Sequence, residues 1–111
     1  MKIVLIGYMG SGKSSIGRSL ADQLNIPFID LDHYIIEKEQ LSVSEIFKNK
    51  GEIYFRKRET FYLHEILQNY QSVILATGGG TPCYGSNMDL LKKQATTIYL
   101  KTAIKTFKLN S

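Results

Sequence analysis

The sequence predicts an α/β domain in which a parallel β-sheet is covered by helices on both faces. Short, continuous apolar runs such as residues 3–6 and 73–76 alternate with segments whose apolar residues recur every three or four positions. Continuous apolar runs are typical of strands buried on both faces, and helices between them supply the crossovers that parallel pairing requires. At 111 residues and 43% hydrophobic content, one domain spanning residues 1–111 is expected.

Nine elements are predicted, and local signals delimit most of them. A glycine-rich loop separates the first strand from a helix that carries Ile16, Leu20 and Leu24 on one face. Pro27 opens the second strand. In chain order the elements are strand 2–6, helix 13–24, strand 28–31, helix 33–38, helix 42–47, helix 52–70, strand 72–76, helix 88–93 and strand 96–100.

Capping residues mark the helices in the middle of the chain. Ser42 and Glu45, three residues apart, form a capping-box pattern at the start of one helix, and Gly51 ends it. Gly78, Gly79, Gly80 and Pro82 end the third strand. Near the C-terminus, Ile104 and Phe107 have helical spacing, which predicts the beginning of a further helix over residues 102–111.

The net charge of +4 comes from the last fifth of the chain. No acidic residue follows Asp89, whereas five lysines do, which leaves about −1 for residues 1–89. Lysines without arginine or a base-stacking pattern are typical of a solvated face, so we expect no nucleic-acid partner.

Neither a membrane span nor a signal peptide is predicted. The apolar runs are far shorter than the ~20 residues that cross a bilayer, and the glycine loop begins by residue 7. The single cysteine, Cys83, cannot form an internal disulfide and fits a reducing compartment. We therefore expect a cytoplasmic monomer.

The loop Gly7-Tyr8-Met9-Gly10-Ser11-Gly12-Lys13-Ser14 matches the phosphate-binding pattern G-x-x-x-x-G-K-[ST]. Glycines let the backbone approach an anion, and the following helix adds the positive end of its dipole. Lys13 would reach the β- and γ-phosphates, and the Ser14 hydroxyl would bind Mg²⁺. Because a strand precedes the loop and a helix follows it, nucleotide binding is favoured over a plain structural turn.

The second strand ends in Asp30-Leu31-Asp32. With period 2 along a strand, both carboxylates are expected to project to the same side, at the sheet edge where ligands bind in α/β proteins. One could serve Mg²⁺ and the other a substrate hydroxyl. The alternative is that Asp32 is a helix N-cap.

Arg56 and Glu59 lie three apart on the long helix and therefore share a face. An ordinary ion pair explains this spacing. Alternatively, Glu59 holds Arg56 so that its planar fork grips a substrate carboxylate.

The segment Thr77-Gly78-Gly79-Gly80 ends the third strand, where most P-loop NTPases place a magnesium carboxylate. Three glycines would let a ring lie against the backbone, with N–H groups as donors. The alternative is a sharp turn before Pro82.

Together, these motifs resemble those of the shikimate kinases, which belong to the nucleoside monophosphate kinase-like P-loop class. The resemblance rests on G-Y-M-G-S-G-K-S at 7–14, F-I-D-L-D at 28–32, G-E-I-Y-F-R-K-R-E at 51–59 and T-G-G-G at 77–80, in family order and spacing. It implies a P-loop NTPase fold and ATP-dependent phosphorylation of the 3-hydroxyl of shikimate, in chorismate and aromatic amino-acid biosynthesis.

The resemblance also implies a role for each matching residue. Asp32 would bind the shikimate hydroxyls and act as base, Arg56 would bind the carboxylate, and Glu59 would orient Arg56. Ser14 and Asp30 would organise Mg²⁺. The backbone of Gly78, Gly79 and Gly80 would complete the substrate pocket. The residues expected to bind ATP phosphates are Gly10, Ser11, Gly12, Lys13, Ser14 and Ser15.

The chain departs from the family pattern after its fourth strand. No arginine follows Arg58, so the arginine-bearing lid and a second substrate arginine are missing. A fifth strand is missing as well. We therefore expect a domain incomplete at its C-terminus, with the fourth strand as an exposed edge. Three interpretations remain: a shikimate kinase, a nucleotide-binding module without turnover, and a related kinase such as one acting on gluconate. Arg56 and the triple glycine argue against the third, and the missing lid favours the second.

Overall fold

A computed structural model describes residues 1–7, 12–78 and 80–100. Gly10, Ser11, Gly79 and the helix expected over 102–111 lie outside these residues. The described elements are β1 (Lys2–Gly7), α1 (Lys13–Leu24), β2 (Phe28–Asp30), α2 (Leu31–Glu39), α3 (Val43–Lys50), α4 (Glu52–Asn69), β3 (Val73–Thr77), a 3₁₀ helix (Thr81–Cys83), α5 (Asn87–Gln94) and β4 (Thr96–Leu100).

The four strands form one parallel sheet in the order β2-β3-β1-β4. Asp30 at the end of β2 pairs with Ala76 of β3, and the next residue, Thr77, pairs with Ile6 of β1. The carboxyl ends of these strands therefore lie along one sheet edge, where ligands bind in open α/β sheets. Three segments continue the chain from this edge: the phosphate loop after β1, the start of α2 after β2, and the glycines after β3.

Alternating strand residues contact the helices on opposite faces of the sheet. Val4, Ile6 and Leu75 pack in a core with α2, α3, α4 and α5. Leu5 and Ile74 point the other way and pack against α1. The two central strands, β1 and β3, are thus buried on both faces, which confirms the predicted α/β architecture and explains why these strands are continuously apolar.

Cap residues fix the helix ends as the sequence predicts. The Ser42 hydroxyl accepts the backbone N–H of Glu45 at 3.1 Å, and the Glu45 carboxylate accepts that of Ser42 at 2.9 Å. Gly51 follows α3 with φ of +89°, a conformation that favours glycine. At the sheet edge, Ile98 and Tyr99 of β4 are 40% and 51% exposed, as expected for an edge strand.

One boundary differs from the prediction in a way that affects the site. β2 ends at Asp30 rather than residue 31, and α2 begins at Leu31 rather than residue 33. The Asp30 carboxylate accepts the backbone N–H of His33 at 3.2 Å and so caps α2. Asp32 is therefore a helical residue and not the cap, and the argument that strand alternation aligns Asp30 with Asp32 is wrong. α1 and β4 have the predicted bounds, the other boundaries differ by at most three residues, and the 3₁₀ helix was not predicted.

Candidate active site

The first residues of α1 form the phosphate end of the site. Gly12, the N-cap residue, has φ of +84°, and Lys13 and Ser14 begin the helix directly after it. No side chain of the described residues caps this end. The first backbone N–H groups and the helix dipole therefore remain available to an anion, as phosphate binding requires. Ser15, in the same turn, is exposed.

Asp30 joins α1 to α2 through its two carboxylate oxygens. Oδ1 caps α2, while Oδ2 accepts the Ser14 hydroxyl at 3.3 Å. The two residues predicted to bind magnesium are thus in contact, although they come from different elements 16 positions apart. Capping and metal binding are compatible uses of one carboxylate, because each engages a different oxygen.

The oxygen atoms around this contact have the chemistry that Mg²⁺ prefers. Ser14 supplies a hydroxyl and Asp30 a carboxylate, both hard oxygen donors. Thr77 lies beside the Asp30–Ala76 pair, is 1% exposed, and its Oγ1 has no hydrogen-bond partner among the described residues. Within residues 1–7, 12–78 and 80–100, no group of three or more His, Cys, Asp or Glu residues is placed so that it could hold a metal ion. A magnesium ion here would thus complete its shell with phosphate oxygens and water, as Mg²⁺ commonly does.

Asp32, in the first turn of α2, is close enough to Lys13 and Arg56 for their charges to act on its carboxyl group, although the residue as a whole is exposed. Desolvation of the carboxyl by neighbouring atoms raises its pKa, and the negative charges of Asp30 and Glu59 raise it further. The positive charges of Lys13 and Arg56 oppose the rise. One carboxyl group is therefore within electrostatic reach of both predicted cations. A raised pKa brings a carboxylate closer to the range in which it accepts a proton effectively.

Arg56 and Glu59 form the ion pair that their spacing predicts. Arg56 Nη1 donates to Glu59 Oε1 at 2.9 Å, with Arg56 23% exposed and Glu59 3% exposed in their side chains. The guanidinium also lies against Gly80, since a Cβ built on Gly80 would be 2.9 Å from Arg56 Nη2. The structure thus brings Arg56 and Gly80 together. At Gly78 a Cβ would meet nothing within 4 Å, so this glycine borders open space.

Two buried polar residues behind Arg56 were not predicted. Thr81 and Asn87 are each 1% exposed, and Thr81 Oγ1 donates to Glu59 Oε2 at 2.8 Å. The sequence signals there were Pro82, which predicts only a turn, and an ordinary helix pattern around Asn87. Their partners lie more than 20 positions away in α4, beyond the reach of local patterns.

Comparison with known proteins shows the family to which the chain belongs. The family profile described as "Shikimate kinase" matches residues 9–109. A curated shikimate kinase from Flavobacterium johnsoniae is 49% identical over 106 residues, which are 95% of this chain and 62% of that protein. One from Azobacteroides pseudotrichonymphae is 45% identical over 94% of this chain and 61% of its own length. The chain thus spans about three fifths of the length of these relatives.

A solved structure gives the same result for the fold. The shikimate kinase from Acinetobacter baumannii in complex with shikimate superposes with a TM-score of 0.86 at 40% identity, over 91% of this chain and 56% of that chain. This confirms the P-loop NTPase type of α/β fold. Among the described residues, no helix is both long and apolar enough to cross a membrane.

Proposed function

Because the chain belongs to the shikimate kinase family, we propose that the protein transfers the γ-phosphate of ATP to the 3-hydroxyl of shikimate, in chorismate and aromatic amino-acid biosynthesis. The observation that carries this proposal is the position of Asp32. Its carboxyl group lies within reach of the positive charges of both Lys13 and Arg56. A small hydroxy acid between these cations would direct a hydroxyl toward Asp32 and its carboxylate toward Arg56.

The phosphate donor would bind at the start of α1. Lys13 would neutralise charge on the β- and γ-phosphates, and backbone N–H groups of the loop would bind their oxygens. The residues proposed to contact ATP are Gly10, Ser11, Gly12, Lys13, Ser14 and Ser15. Ser14 and Asp30 would hold Mg²⁺, which when bound supplies further charge neutralisation at the transferred phosphate. Their contact at 3.3 Å supports this assignment.

The acceptor would bind between α2, α4 and the glycines after β3. Asp32 would hydrogen-bond the ring hydroxyls and take the proton of the attacking 3-hydroxyl. Arg56 would bind the carboxylate, oriented by Glu59, and the backbone of Gly78, Gly79 and Gly80 would border the ring. Positioning and charge neutralisation supply most of the catalysis in phosphoryl transfer, and these residues provide both.

The proposal also covers the location, the oligomeric state and the domain organisation of the protein. We infer a cytoplasmic monomer that forms one P-loop kinase domain. The single cysteine fits a reducing compartment.

A second candidate function is nucleotide binding without turnover. The 111 residues span 61% and 62% of the lengths of the relatives described above, and they contain no arginine after Arg58. A mobile lid excludes water, and arginines that contact the transferred phosphate contribute on the order of 10³-fold in rate. We therefore expect nucleotide binding by the 111 residues to persist while turnover is slow. Membership of the shikimate kinase family argues against a gluconate kinase.

Calorimetric titration of the 111-residue chain, first with MgATP and then with shikimate, tests the proposal. Arg56→Ala should abolish shikimate binding and leave MgATP binding intact. Lys57→Ala is the matched control, since Lys57 is the exposed neighbour of Arg56 in α4. Shikimate binding that survives Arg56→Ala would refute the assignment of Arg56. MgATP binding without any shikimate binding would favour the second candidate, and a full turnover rate would exclude it.

A further inference from the structure

The two oxygens of the buried Glu59 carboxylate have different partners. Oε1 accepts a hydrogen bond from Arg56 Nη1 at 2.9 Å, and Oε2 accepts one from Thr81 Oγ1 at 2.8 Å. Glu59 is 2% exposed and Thr81 is 1% exposed. Water cannot substitute for either donor there, so the orientation of the carboxylate depends on both.

Thr81 is itself part of a chain of hydrogen bonds. Its carbonyl oxygen accepts from Asn87 Nδ2 at 2.9 Å, and Asn87 Oδ1 accepts from Thr60 Oγ1 at 3.0 Å. The bonds begin and end on α4, which carries both Glu59 and Thr60, and pass through the 3₁₀ helix and α5. Asn87 therefore holds the Thr81 backbone directly, whereas Thr60 bonds only to Asn87, so the two bonds of Thr81 do not include the Thr60 hydroxyl.

The Thr81 bond also affects which N–H groups Arg56 can offer a ligand. Within the described residues Arg56 makes one hydrogen bond, through Nη1, while Nη2 lies beside Gly80, the residue before Thr81. If Oε2 lost its donor, the carboxylate could rotate and bind both guanidinium nitrogens in the bidentate arrangement that arginine and carboxylate favour. Arg56 would then be turned toward Glu59 and away from a ligand.

We propose that Thr81 is a positioning residue for the carboxylate-binding arginine: its hydroxyl fixes Glu59 so that Arg56 keeps Nη2 for the substrate carboxylate. This proposal rests on the proposed function for the identity of the ligand. Its structural part, the control of Arg56 by Thr81 through Glu59, does not depend on that identity.

Three variants of the 111-residue chain isolate the Thr81 hydroxyl. Thr81→Val removes it with little change of shape, and Thr81→Ser retains it. Thr60→Val is the matched control, because it makes the same substitution in the same hydrogen-bond chain without touching Glu59. If Thr81→Val does not fold, Thr81→Ala replaces it as a smaller variant.

The first measurement is binding of shikimate, of methyl shikimate and of MgATP by calorimetry. Thr81→Val should weaken shikimate binding about 10-fold, the usual effect of losing a hydrogen bond to a charged group. Methyl shikimate, which lacks the carboxylate, and MgATP should lose about twofold or less. Thr81→Ser and Thr60→Val should bind shikimate as the parent chain does. A loss of similar size for all three ligands would show a general structural role and overturn the proposal.

The second measurement, NMR relaxation of Arg56 Nε in the ligand-free chain, separates this proposal from the proposed function. Its order parameter should change in Thr81→Val and stay unchanged in Thr81→Ser and Thr60→Val. If the parent chain binds no shikimate but Arg56 responds to Thr81→Val, the proposed function fails for this chain and the positioning role stands. If Arg56 does not respond and shikimate affinity is unchanged, the positioning role is wrong.

Discussion

The guanidinium of Arg56 packs directly against the backbone of Gly80. A Cβ on Gly80 would lie 2.9 Å from Nη2, so the end of this flexible side chain would have to move, and 3.4 Å from Nη1. Gly80 has φ of −82° and ψ of −19°, which any residue adopts. Space for Arg56, and not backbone conformation, therefore accounts for glycine at this position.

Gly80→Ala should consequently impair ligand binding without impairing folding. The added methyl group would displace the Arg56 guanidinium. Moving a binding group out of its productive position costs roughly 10-fold or more in binding or rate. We expect a loss of shikimate affinity of that order, measured by calorimetry, and a melting temperature close to that of the parent chain. Equal shikimate affinity in Gly80→Ala and the parent chain would contradict this account.

Some contacts of Arg56 could be predicted from the sequence, and others could not. The Arg56–Glu59 pair follows from helical spacing alone, and the phosphate loop from its motif. The contacts with Gly80 and Thr81 depend on how the 3₁₀ helix is placed beside α4, which no local pattern encodes. The boundary at Asp30 was mispredicted for a different reason. A capping hydrogen bond to His33 begins the helix two residues earlier than the apolar pattern suggests.

Asp32 should make the protein less stable as the pH rises. Desolvation of its carboxyl and the charges of Asp30 and Glu59 raise its pKa above the ordinary value of 3.8, against Lys13 and Arg56. Because the folded state holds the proton more tightly than the unfolded state, its contribution to stability is fully present below the unfolded pKa. This contribution is lost as the pH rises through the folded pKa. Asp32→Asn should therefore gain stability relative to the parent chain as the pH increases.

Urea unfolding of the two proteins between pH 3 and pH 7 measures this trend. Asp22→Asn, the same substitution at an exposed position of α1, serves as the control. Asp32 also lies in the first turn of α2, where the helix dipole favours a negative charge. If the dipole dominated, the stability of Asp32→Asn relative to the parent chain would decrease with increasing pH, and the expected sign would be wrong.

Glu39 should show the opposite pH dependence. Its side chain is 8% exposed, and burial raises its pKa, but hydrogen bonds from Tyr54, Tyr62 and Arg58 outweigh burial and leave the pKa below its ordinary value of 4.5. A lowered folded pKa contributes stability that is present above the unfolded value and is lost as the pH falls through the folded pKa. These bonds join the end of α2 to α4, the two helices that carry Asp32 and Arg56.

Glu39→Gln should therefore lower the free energy of unfolding by roughly 2 kcal/mol at pH 7, the usual contribution of hydrogen bonds to a charged group. The difference from the parent chain should shrink as the pH falls below 4.5. Glu37→Gln is the matched control, because Glu37 is 68% exposed and its contact with His33 is a surface pair of small expected effect. Urea unfolding at several pH values gives both results. A constant difference at all pH values would show that the charge of Glu39 is not what stabilises this contact.

Asp30→Asn should separate helix capping from magnesium binding. Asparagine caps helices about as well as aspartate, so the bond to the backbone N–H of His33 and the stability of α2 should be preserved, with a change in unfolding free energy within about 0.5 kcal/mol. The neutral amide is a much poorer magnesium ligand than a carboxylate. The increase in ATP affinity that Mg²⁺ produces should accordingly be largely lost in Asp30→Asn.

Calorimetric titration with ATP, in the presence and absence of Mg²⁺, tests this separation alongside urea unfolding. Ser14→Ala should lose the magnesium effect in the same way, because it removes the hydroxyl that contacts Asp30 at 3.3 Å and leaves the cap of α2 intact. Asp30→Ala should lose both the magnesium effect and about 1 kcal/mol of stability, since it removes the cap as well. An undiminished magnesium effect in Asp30→Asn would mean that Asp30 acts only as a cap. In that case the buried Thr77 hydroxyl, beside the Asp30–Ala76 pair, would be the next oxygen to test with Ser14.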